Sequence, residues 1–198
     1  FNNNHPPFKQ IKVKNTLKFL TTCSSILREN INARIISITG SCGKTTLKEM
    51  IGLVLKKISR TSFSPKSFNN KYGVPLSLFN MRQNDEFGVF EIGMDKKGEI
   101  NDLSKIIRPD LGVITNISYA HSKNFKNIKQ IADAKAEIIN NIKKDGIIVL
   151  NGDDHFYYYL KRLAAKKKIK TISFAIKNKS SEIKLMNLKK IKNKYELF

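Results

Sequence analysis

The sequence predicts an α/β fold in which a mostly parallel sheet carries helices on both faces. Apolar strands alternate with amphipathic helices along most of the 198 residues, and this alternation is typical of βαβ units. The strand Arg34 to Thr39 runs into a glycine-bearing turn and then a helix, which is the layout of a phosphate-binding loop. A weaker alternation from Glu182 to Phe198 predicts an antiparallel hairpin at the edge of the sheet.

The chain before the first strand predicts a single helix. Ile11 to Lys14 form a short extended segment after the Pro6-Pro7 turn. Asn15 or Thr16 can cap the helix, because either side chain accepts a hydrogen bond from a first-turn N–H group. The helix carries the apolar residues Leu17, Leu20, Ile26 and Leu27.

The turn after the first strand has the residues of a phosphate loop. Gly40 and Gly43 let the backbone turn so that successive N–H groups face a phosphate at a helix N-terminus. Lys44 adds a charge for the outer phosphates, and the Thr45 hydroxyl can bind magnesium. The general nucleotide pattern has a glycine where this sequence has Ile38, so an ordinary turn with a solvated lysine is the alternative. The predicted nucleotide-binding residues are Gly40, Ser41, Cys42, Gly43, Lys44, Thr45 and Thr46.

The remaining elements follow in order along the chain. A helix from Lys44 to Ile58 is followed by a loop from Ser64 to Pro75, rich in Pro, Gly, Asn and Ser, and by a short helix from Leu76 to Met81. Apolar runs predict strands over Phe87 to Ile92, Leu111 to Asn116, Gly146 to Leu150 and Ile169 to Phe174. Amphipathic patterns predict helices over Gly98 to Ile107, Lys126 to Lys143 and Asp154 to Lys167.

Composition excludes several classes of protein. No stretch of about 18 apolar residues occurs, so we expect no membrane span and a cytoplasmic location. Cys23 and Cys42 are too few for a zinc site or a disulfide framework and are expected to be free thiols. The 37 Lys and Arg against 16 Asp and Glu give a net charge of +21, but they are spread along the whole chain. Specific nucleic-acid binding is therefore not expected, since unfocused charge gives only salt-sensitive affinity.

Polar residues follow the predicted strands where ligands bind to open parallel sheets, beyond the carboxyl ends of the strands. Glu91 ends one apolar strand, Thr115 and Asn116 end the next, and His121 lies five residues beyond Asn116. Magnesium prefers hard oxygen ligands, so Thr45 and Glu91 with an Asn or His behind them form a plausible set. The alternative for Glu91 is a solvated carboxylate at a strand end.

Lys135 interrupts an apolar helix stripe formed by Ile128, Ile131, Ile138 and Ile142. Two interpretations compete. The side chain can bury its stem and leave its ammonium in water. Alternatively, it lies within the site with a lowered pKa, where a neutral amine becomes a nucleophile open to modification.

At this level of detail the sequence resembles the Mur ligases. Six segments carry the resemblance: Thr39 to Met50, Phe68 to Leu76, Glu91 to Met94 with Gly98 to Ile100, Ile114 to Ile117 with Ala120-His121, Ala134 to Ile138, and Leu150 to Asp154. Within the family it looks most like the ligases of peptidoglycan precursor synthesis that add D-alanyl-D-alanine to UDP-N-acetylmuramoyl-tripeptide. The resemblance implies an ATP-dependent amide ligase that works through an acyl phosphate.

The resemblance also implies roles for individual residues. Lys44 binds the ATP phosphates, and Thr45 and Glu91 hold magnesium. His121 assists at a second magnesium ion, and a carbamate on Lys135 supplies that ion with an anionic oxygen. The asparagines of the predicted nucleotide set are Asn69, Asn70 and Asn116, the first two from the loop that lines the crevice in the family.

The resemblance further implies a domain arrangement. Residues 1–14 are expected to be a linker or remnant of a domain for the uridine nucleotide, and residues 15–198 a shortened central ATP-binding domain without the closing C-terminal domain. We therefore expect a monomer that binds Mg-ATP without completing ligation. Three alternatives remain: another Mur ligase or a folylpolyglutamate synthetase-like enzyme, a non-catalytic nucleotide-binding module, and a basic nucleic-acid binder.

Overall fold

The computed structural model describes residues 11–119, 124–191 and 194–197. The helices are α1 (Thr16–Glu29), α2 (Lys44–Lys56), α3 (Gly73–Phe79), α4 (Glu99–Ile107), α5 (Ile128–Ala136) and α6 (Tyr157–Lys166). The strands are β1 (Arg34–Thr39), β2 (Thr61–Phe63), β3 (Phe87–Glu91), β4 (Leu111–Ile114), β5 (Ile147–Asn151), β6 (Lys170–Ala175), β7 (Ile183–Lys184), β8 (Leu188–Ile191) and β9 (Lys194–Leu197). The predicted Pro6-Pro7 turn lies outside the described residues.

Seven strands form one sheet in the order β2-β3-β1-β4-β5-β6-β7, and every neighbouring pair is parallel. The predicted α/β fold with a parallel sheet is confirmed. Strand β1 lies between β3 and β4, with Ile38 opposite Glu91 on one side and Val113 on the other. The chain therefore leaves β1, β3 and β4 at adjacent points of one edge, where open parallel sheets bind ligands.

Helices cover both faces of the sheet, as predicted. On one face, α2 packs against a small cluster formed by Ile38, Val89 and Val113. On the other face, the remaining helices bury a larger core that includes Ile35 and Phe90. Because both faces are covered, the central strands are runs of apolar residues without polar alternation. No helix within the described ranges has the length and apolar character needed to cross a membrane.

Helix α3 begins three residues earlier than predicted, at Gly73 instead of Leu76. The Asn70 side chain accepts hydrogen bonds from the backbone N–H groups of Gly73 and Tyr72, so it satisfies two donors at the start of this helix. Pro75 then lies in the first turn, where its missing N–H does no harm. The short strand β2 was not predicted, since three residues are too few to show a period.

The predicted helix Lys126 to Lys143 is divided. Helix α5 ends at Ala136 and a 3₁₀ turn, Glu137–Asn141, follows. The tighter turn directs two side chains onto α4: the Glu137 carboxylate accepts from the Gly98 and Asn101 N–H groups, and Asn141 Nδ2 donates to the Asn101 carbonyl. These contacts with α4 account for the change of helix type.

The predicted antiparallel hairpin exists, but its predicted place at the edge of the main sheet is wrong. Strands β8 and β9 pair antiparallel with each other and form a separate two-stranded sheet. The edge of the main sheet is β7, which pairs parallel to β6. Two residues of β7 suffice for this pairing, and so short a segment carries no periodic signal.

Candidate nucleotide and magnesium site

The phosphate loop lies at the carboxyl end of β1. Gly40 has φ +146° and Gly43 has φ +79°, backbone conformations that favour glycine. A Cβ at Gly40 would lie 1.9 Å from Thr115 Oγ1, so the loop approaches the end of β4 too closely for any side chain there. Gly43 leads directly into α2. Both glycines are therefore used as the sequence predicted, for a tight turn into a helix.

The first turn of α2 is open to a ligand. Within the described part of the chain, no side chain accepts a hydrogen bond from the backbone N–H groups of Lys44, Thr45 or Thr46. Lys44 Nζ folds back over the loop and donates to the Gly40 carbonyl at 3.0 Å. Donors of this kind at a helix N-terminus, next to a lysine, bind phosphate oxygens.

The segment that follows β4 fixes the shape of the loop. Thr115 Oγ1 donates to the Cys42 carbonyl at 2.6 Å, and Asn116 Oδ1 accepts from the Cys42 N–H at 3.0 Å. The Ser41 N–H also donates to the Asn116 backbone carbonyl at 3.0 Å. Asn116, predicted to bind the nucleotide, thus holds the loop that would bind it.

Glu91 ends β3 beside the loop and is buried, with 1% of its surface exposed. The Thr45 hydroxyl donates to Glu91 Oε2 at 2.7 Å, and Asn69 Nδ2 donates to Oε1 at 2.8 Å. The burial of Glu91 rules out the solvated carboxylate that was the alternative interpretation. Three of the predicted site residues, from three different elements, therefore meet at one carboxylate.

The pair of Thr45 and Glu91 has the right chemistry for magnesium. One hydroxyl and one carboxylate oxygen offer hard ligands, and Mg²⁺ in nucleotide sites is held by few protein ligands, phosphate oxygens and waters. The described residues contain no group of three or more His, Cys, Asp or Glu side chains that could hold a metal by themselves. The site fits an ion that arrives with a nucleotide.

The two asparagines of the loop before α3 have different tasks. Asn69 is half-buried, and besides contacting Glu91 its carbonyl accepts from the Gly93 N–H at 2.8 Å. Asn70 is exposed and uses its side chain to start α3. Asn69 thus contacts the predicted metal ligand, whereas Asn70 starts α3 and also lines the cavity beside Lys44.

Lys135 is buried in α5, with 1% of its surface exposed. The pKa of Lys135 is lowered from 10.5 to about 7, mainly by burial and also by the nearby Lys44 ammonium, while Cys42 acts in the opposite direction. Among the described residues the Lys135 ammonium has no hydrogen-bond acceptor, although the backbone carbonyl of Lys135 accepts from the Glu137 N–H. Its side chain lies almost wholly inside the protein near Lys44 and Cys42 of the phosphate loop, which favours the interpretation in which it lies within the site. His121, the remaining predicted site residue, lies outside the described residues.

A cavity of about 600 Å³ opens next to the loop. Its lining includes Lys44, Asn69, Tyr72, Gly93, Lys96 and Glu99. A second cavity of about 700 Å³ runs between α1 and α4 and shares Lys71, Asp102 and Leu103 with the first. Of these two cavities, the first contacts the phosphate loop, through Lys44.

Sequence reasoning missed Lys48 and Ser64, which also surround Glu91. Ser64 Oγ accepts from the Glu91 N–H at 3.1 Å, and the fully buried Lys48 Nζ donates to the Ser64 carbonyl at 2.7 Å. The only available signal was the position of Lys48 one turn after the phosphate-loop lysine, and lysines at such positions are usually solvated.

Comparisons with known proteins agree with this geometry. The Mur ligase middle domain family matches residues 38–198. The UDP-N-acetylmuramoyl-tripeptide--D-alanyl-D-alanine ligase of Buchnera aphidicola from Acyrthosiphon pisum is 37% identical over 175 residues, which are 88% of this chain and 38% of that protein. The crystal structure of MurF from Acinetobacter baumannii aligns with a TM-score of 0.87 at 30% identity, over 95% of this chain and 41% of that one. MurF ligase from Thermotoga maritima in complex with ADP aligns with a TM-score of 0.84 at 27% identity, over 94% and 42%. The chain thus spans about two fifths of the length of the proteins that it matches.

Proposed function

Because the chain belongs to the Mur ligase family, we propose that it is the ATP-binding part of a ligase that joins D-alanyl-D-alanine to UDP-N-acetylmuramoyl-tripeptide. The observation that carries the proposal is the 2.7 Å contact between Thr45 and the buried Glu91 carboxylate, directly beside the open phosphate loop. The solved relative that contains ADP supports nucleotide binding by this fold. We place the reaction in the cytoplasm and the protein in the monomeric state.

In the proposed reaction, the terminal carboxylate of the tripeptide attacks the γ-phosphorus of ATP and ADP leaves. The amine of D-alanyl-D-alanine then attacks the acyl carbon of the resulting acyl phosphate, and phosphate leaves as the amide forms. Most of the catalysis in such phosphoryl transfer comes from positioning and from neutralising charge.

The residues of this chain supply the positioning. The first-turn N–H groups of α2 and the Lys44 ammonium hold the outer phosphates, for which Lys44 gives up its contact with the Gly40 carbonyl. Thr45 and Glu91 would hold magnesium, which would supply positive charge against the phosphoryl oxygens. Thr115 and Asn116 keep the loop in the conformation that presents its donors.

We further propose that Lys135 carries a carbamate. The lowered pKa leaves a large fraction of the amine neutral at pH 7, and a neutral amine adds to carbon dioxide to give a carbamate and a proton. The product is an anion facing Lys44, the ammonium that now lowers the pKa of Lys135. Together with His121, this carbamate would supply ligands for a second magnesium ion.

The test is a titration of the 198-residue chain with a fluorescent ATP analogue, with and without magnesium. We expect saturable, magnesium-dependent binding that Lys44→Ala weakens roughly 10- to 100-fold, the value of a hydrogen bond to a charged group. Lys56→Ala is the matched control, because Lys56 is an exposed lysine on the same helix.

A DNA titration at two salt concentrations tests whether the net charge of +21 makes the chain a nucleic-acid binder. DNA binding with a steep salt dependence, together with no nucleotide binding, would overturn the proposal in favour of a nucleic-acid binder. Nucleotide binding that is indifferent to both Lys44 and magnesium would also contradict it.

A further inference from the structure

Lys48 is a fully buried lysine that the proposed mechanism does not use. It lies in α2, one turn after Lys44, and 0% of its surface is exposed. Its Nζ donates to the Ser64 carbonyl at 2.7 Å and to the Lys66 carbonyl at 2.5 Å, and it forms an ion pair with Glu49 Oε1 at 2.7 Å. All three protons of the ammonium therefore have acceptors.

The contacts of Lys48 are made to a segment that is also attached to β3, since the Ser64 N–H donates to the Val89 carbonyl at 2.9 Å. Ser64 follows β2, an edge strand of three residues. Lys66, two residues on, has φ +47°, a left-handed conformation that is unfavourable for a residue with a side chain. The Lys48 ammonium binds the carbonyl of this same residue, which compensates for the unfavourable backbone.

The segment held by Lys48 leads to the metal site. Ser64 Oγ accepts from the Glu91 N–H at 3.1 Å. Five residues after Ser64, Asn69 contacts the Glu91 carboxylate at 2.8 Å, and its carbonyl accepts from the Gly93 N–H. Helix α2 thus reaches Glu91 by two routes, directly through the Thr45 hydroxyl and indirectly through Lys48 and residues 64–69.

We propose that Lys48 is a positioning residue that fixes residues 64–69 on α2 and thereby orients Asn69 and Glu91 for the magnesium ion of the bound nucleotide. A buried ammonium adds little net stability even when it is paired, because removing it from water costs several kcal/mol. What this contact supplies is a defined position for the segment. The inference rests on the proposed function, since it assigns to Glu91 the role of a metal ligand.

The experiment compares Lys48→Met and Lys48→Arg with the unmodified 198-residue chain. The measured quantity is the factor by which magnesium strengthens binding of the ATP analogue. We expect Lys48→Met to reduce this factor about tenfold, the usual lower effect of removing a group that orients a metal ligand. Affinity without magnesium should stay nearly unchanged, because Lys48 does not touch the phosphate loop. Lys48→Arg keeps a charged donor and should retain part of the magnesium effect.

Two further measurements separate this role from general damage to the fold. Lys56→Met removes an exposed lysine from the same helix. It should leave the affinity for the ATP analogue unchanged, both with and without magnesium. Hydrogen exchange should show the Gly93 amide, which donates to Asn69, exchanging faster in Lys48→Met, with or without nucleotide.

The outcomes separate the two proposals. An unchanged magnesium effect in folded Lys48→Met would overturn the role of Lys48 and leave the nucleotide site intact. No magnesium effect in the unmodified chain would instead refute the proposed function. In that case, hydrogen exchange of the Gly93 amide still tests whether Lys48 holds residues 64–69. Equal exchange rates in Lys48→Met and the unmodified chain would show that it does not.

Discussion

Helices α2 and α4 begin in the same way but satisfy their N-termini differently. Each follows a glycine in a left-handed conformation, Gly43 with φ +79° and Gly98 with φ +94°. At α4, the Glu137 carboxylate accepts from the Gly98 N–H at 2.8 Å and from the Asn101 N–H at 3.1 Å. At α2, no described side chain fills this place, and Lys44 follows the glycine instead of an acid.

This difference in capping indicates a structural role for the start of α4 and a ligand-binding role for the start of α2. A helix N-terminus attracts an anion through its free N–H groups and its dipole. At α4 the protein supplies the anion itself, which fixes the helix in the fold. At α2 no described side chain takes this position, so it can receive the proposed phosphate. Lys135 and Glu137 are two residues apart; Lys135 lies near the start of α2 and Glu137 at the start of α4. A carbamate on Lys135 would therefore place an anion of the protein near α2, as Glu137 does at α4.

The largest effect that we predict concerns Lys135, on the α2 side of this comparison. Its pKa is about 7 in the folded protein and 10.5 when unperturbed, so between these values the unfolded state binds more protons. Stability should therefore rise with pH from about 7 upward, by up to about 1.4 kcal/mol per pH unit and about 2 kcal/mol between pH 7 and pH 9. Denaturant unfolding in carbon dioxide-free buffer measures this rise.

The Lys135→Met variant is the reference for that measurement. It should lose the pH-dependent contribution and be the more stable protein near pH 7, because it buries no charge. With ¹³C-labelled bicarbonate, a carbamate NMR signal should appear in the unmodified protein and not in Lys135→Met. Parallel stability curves for the two proteins between pH 7 and pH 9 would show that Lys135 is not buried as described.

The next largest effect concerns the anion at α4. Glu137→Ala removes the acceptor of two backbone N–H groups and should lower the free energy of unfolding by about 2 kcal/mol, from the loss of charged hydrogen bonds and a helix cap. Urea unfolding at neutral pH measures it. Glu86→Ala, at an exposed glutamate directly before β3, should change stability by less than about 0.5 kcal/mol. If both substitutions lowered the free energy of unfolding equally, the Glu137 carboxylate would not stabilise the start of α4.

The α2 side of the comparison was largely predictable from the sequence, and the α4 side was not. The phosphate loop, Glu91 at a strand end and the unusual Lys135 all carry local signals: glycine spacing, a polar residue after an apolar run, and a charge in an apolar stripe. Glu137 contacts a glycine 39 residues away in the chain. Such a pairing depends on how α5 and α4 pack, and no local pattern encodes it.

The same distinction applies within the site. Asn116 and Asn70 stay predicted nucleotide-binding residues, and the structure adds contacts that the sequence did not predict: Asn116 supports the loop and Asn70 starts a helix. Lys48 went unnoticed because its partners, the Ser64 and Lys66 carbonyls, come from a different element. Residue type and spacing locate a site, whereas the direction of each side chain is set by tertiary contacts.

The smallest predicted effect comes from replacing the glycine before α2 and the glycine before α4 by alanine. Because the same change is made at both helix starts, it tests the comparison of α2 with α4 most directly. A Cβ at Gly43 or at Gly98 would meet nothing within 4 Å, so alanine at either position adds only the cost of a left-handed backbone. Gly43→Ala and Gly98→Ala should each lower stability by about 1 kcal/mol. Only Gly43→Ala should also weaken binding of the ATP analogue, because only α2 offers its N-terminus to a ligand. If Gly98→Ala weakened nucleotide binding as much, the two helix starts would not be functionally distinct. If neither substitution weakened nucleotide binding, phosphate binding would not depend on the backbone conformation at Gly43.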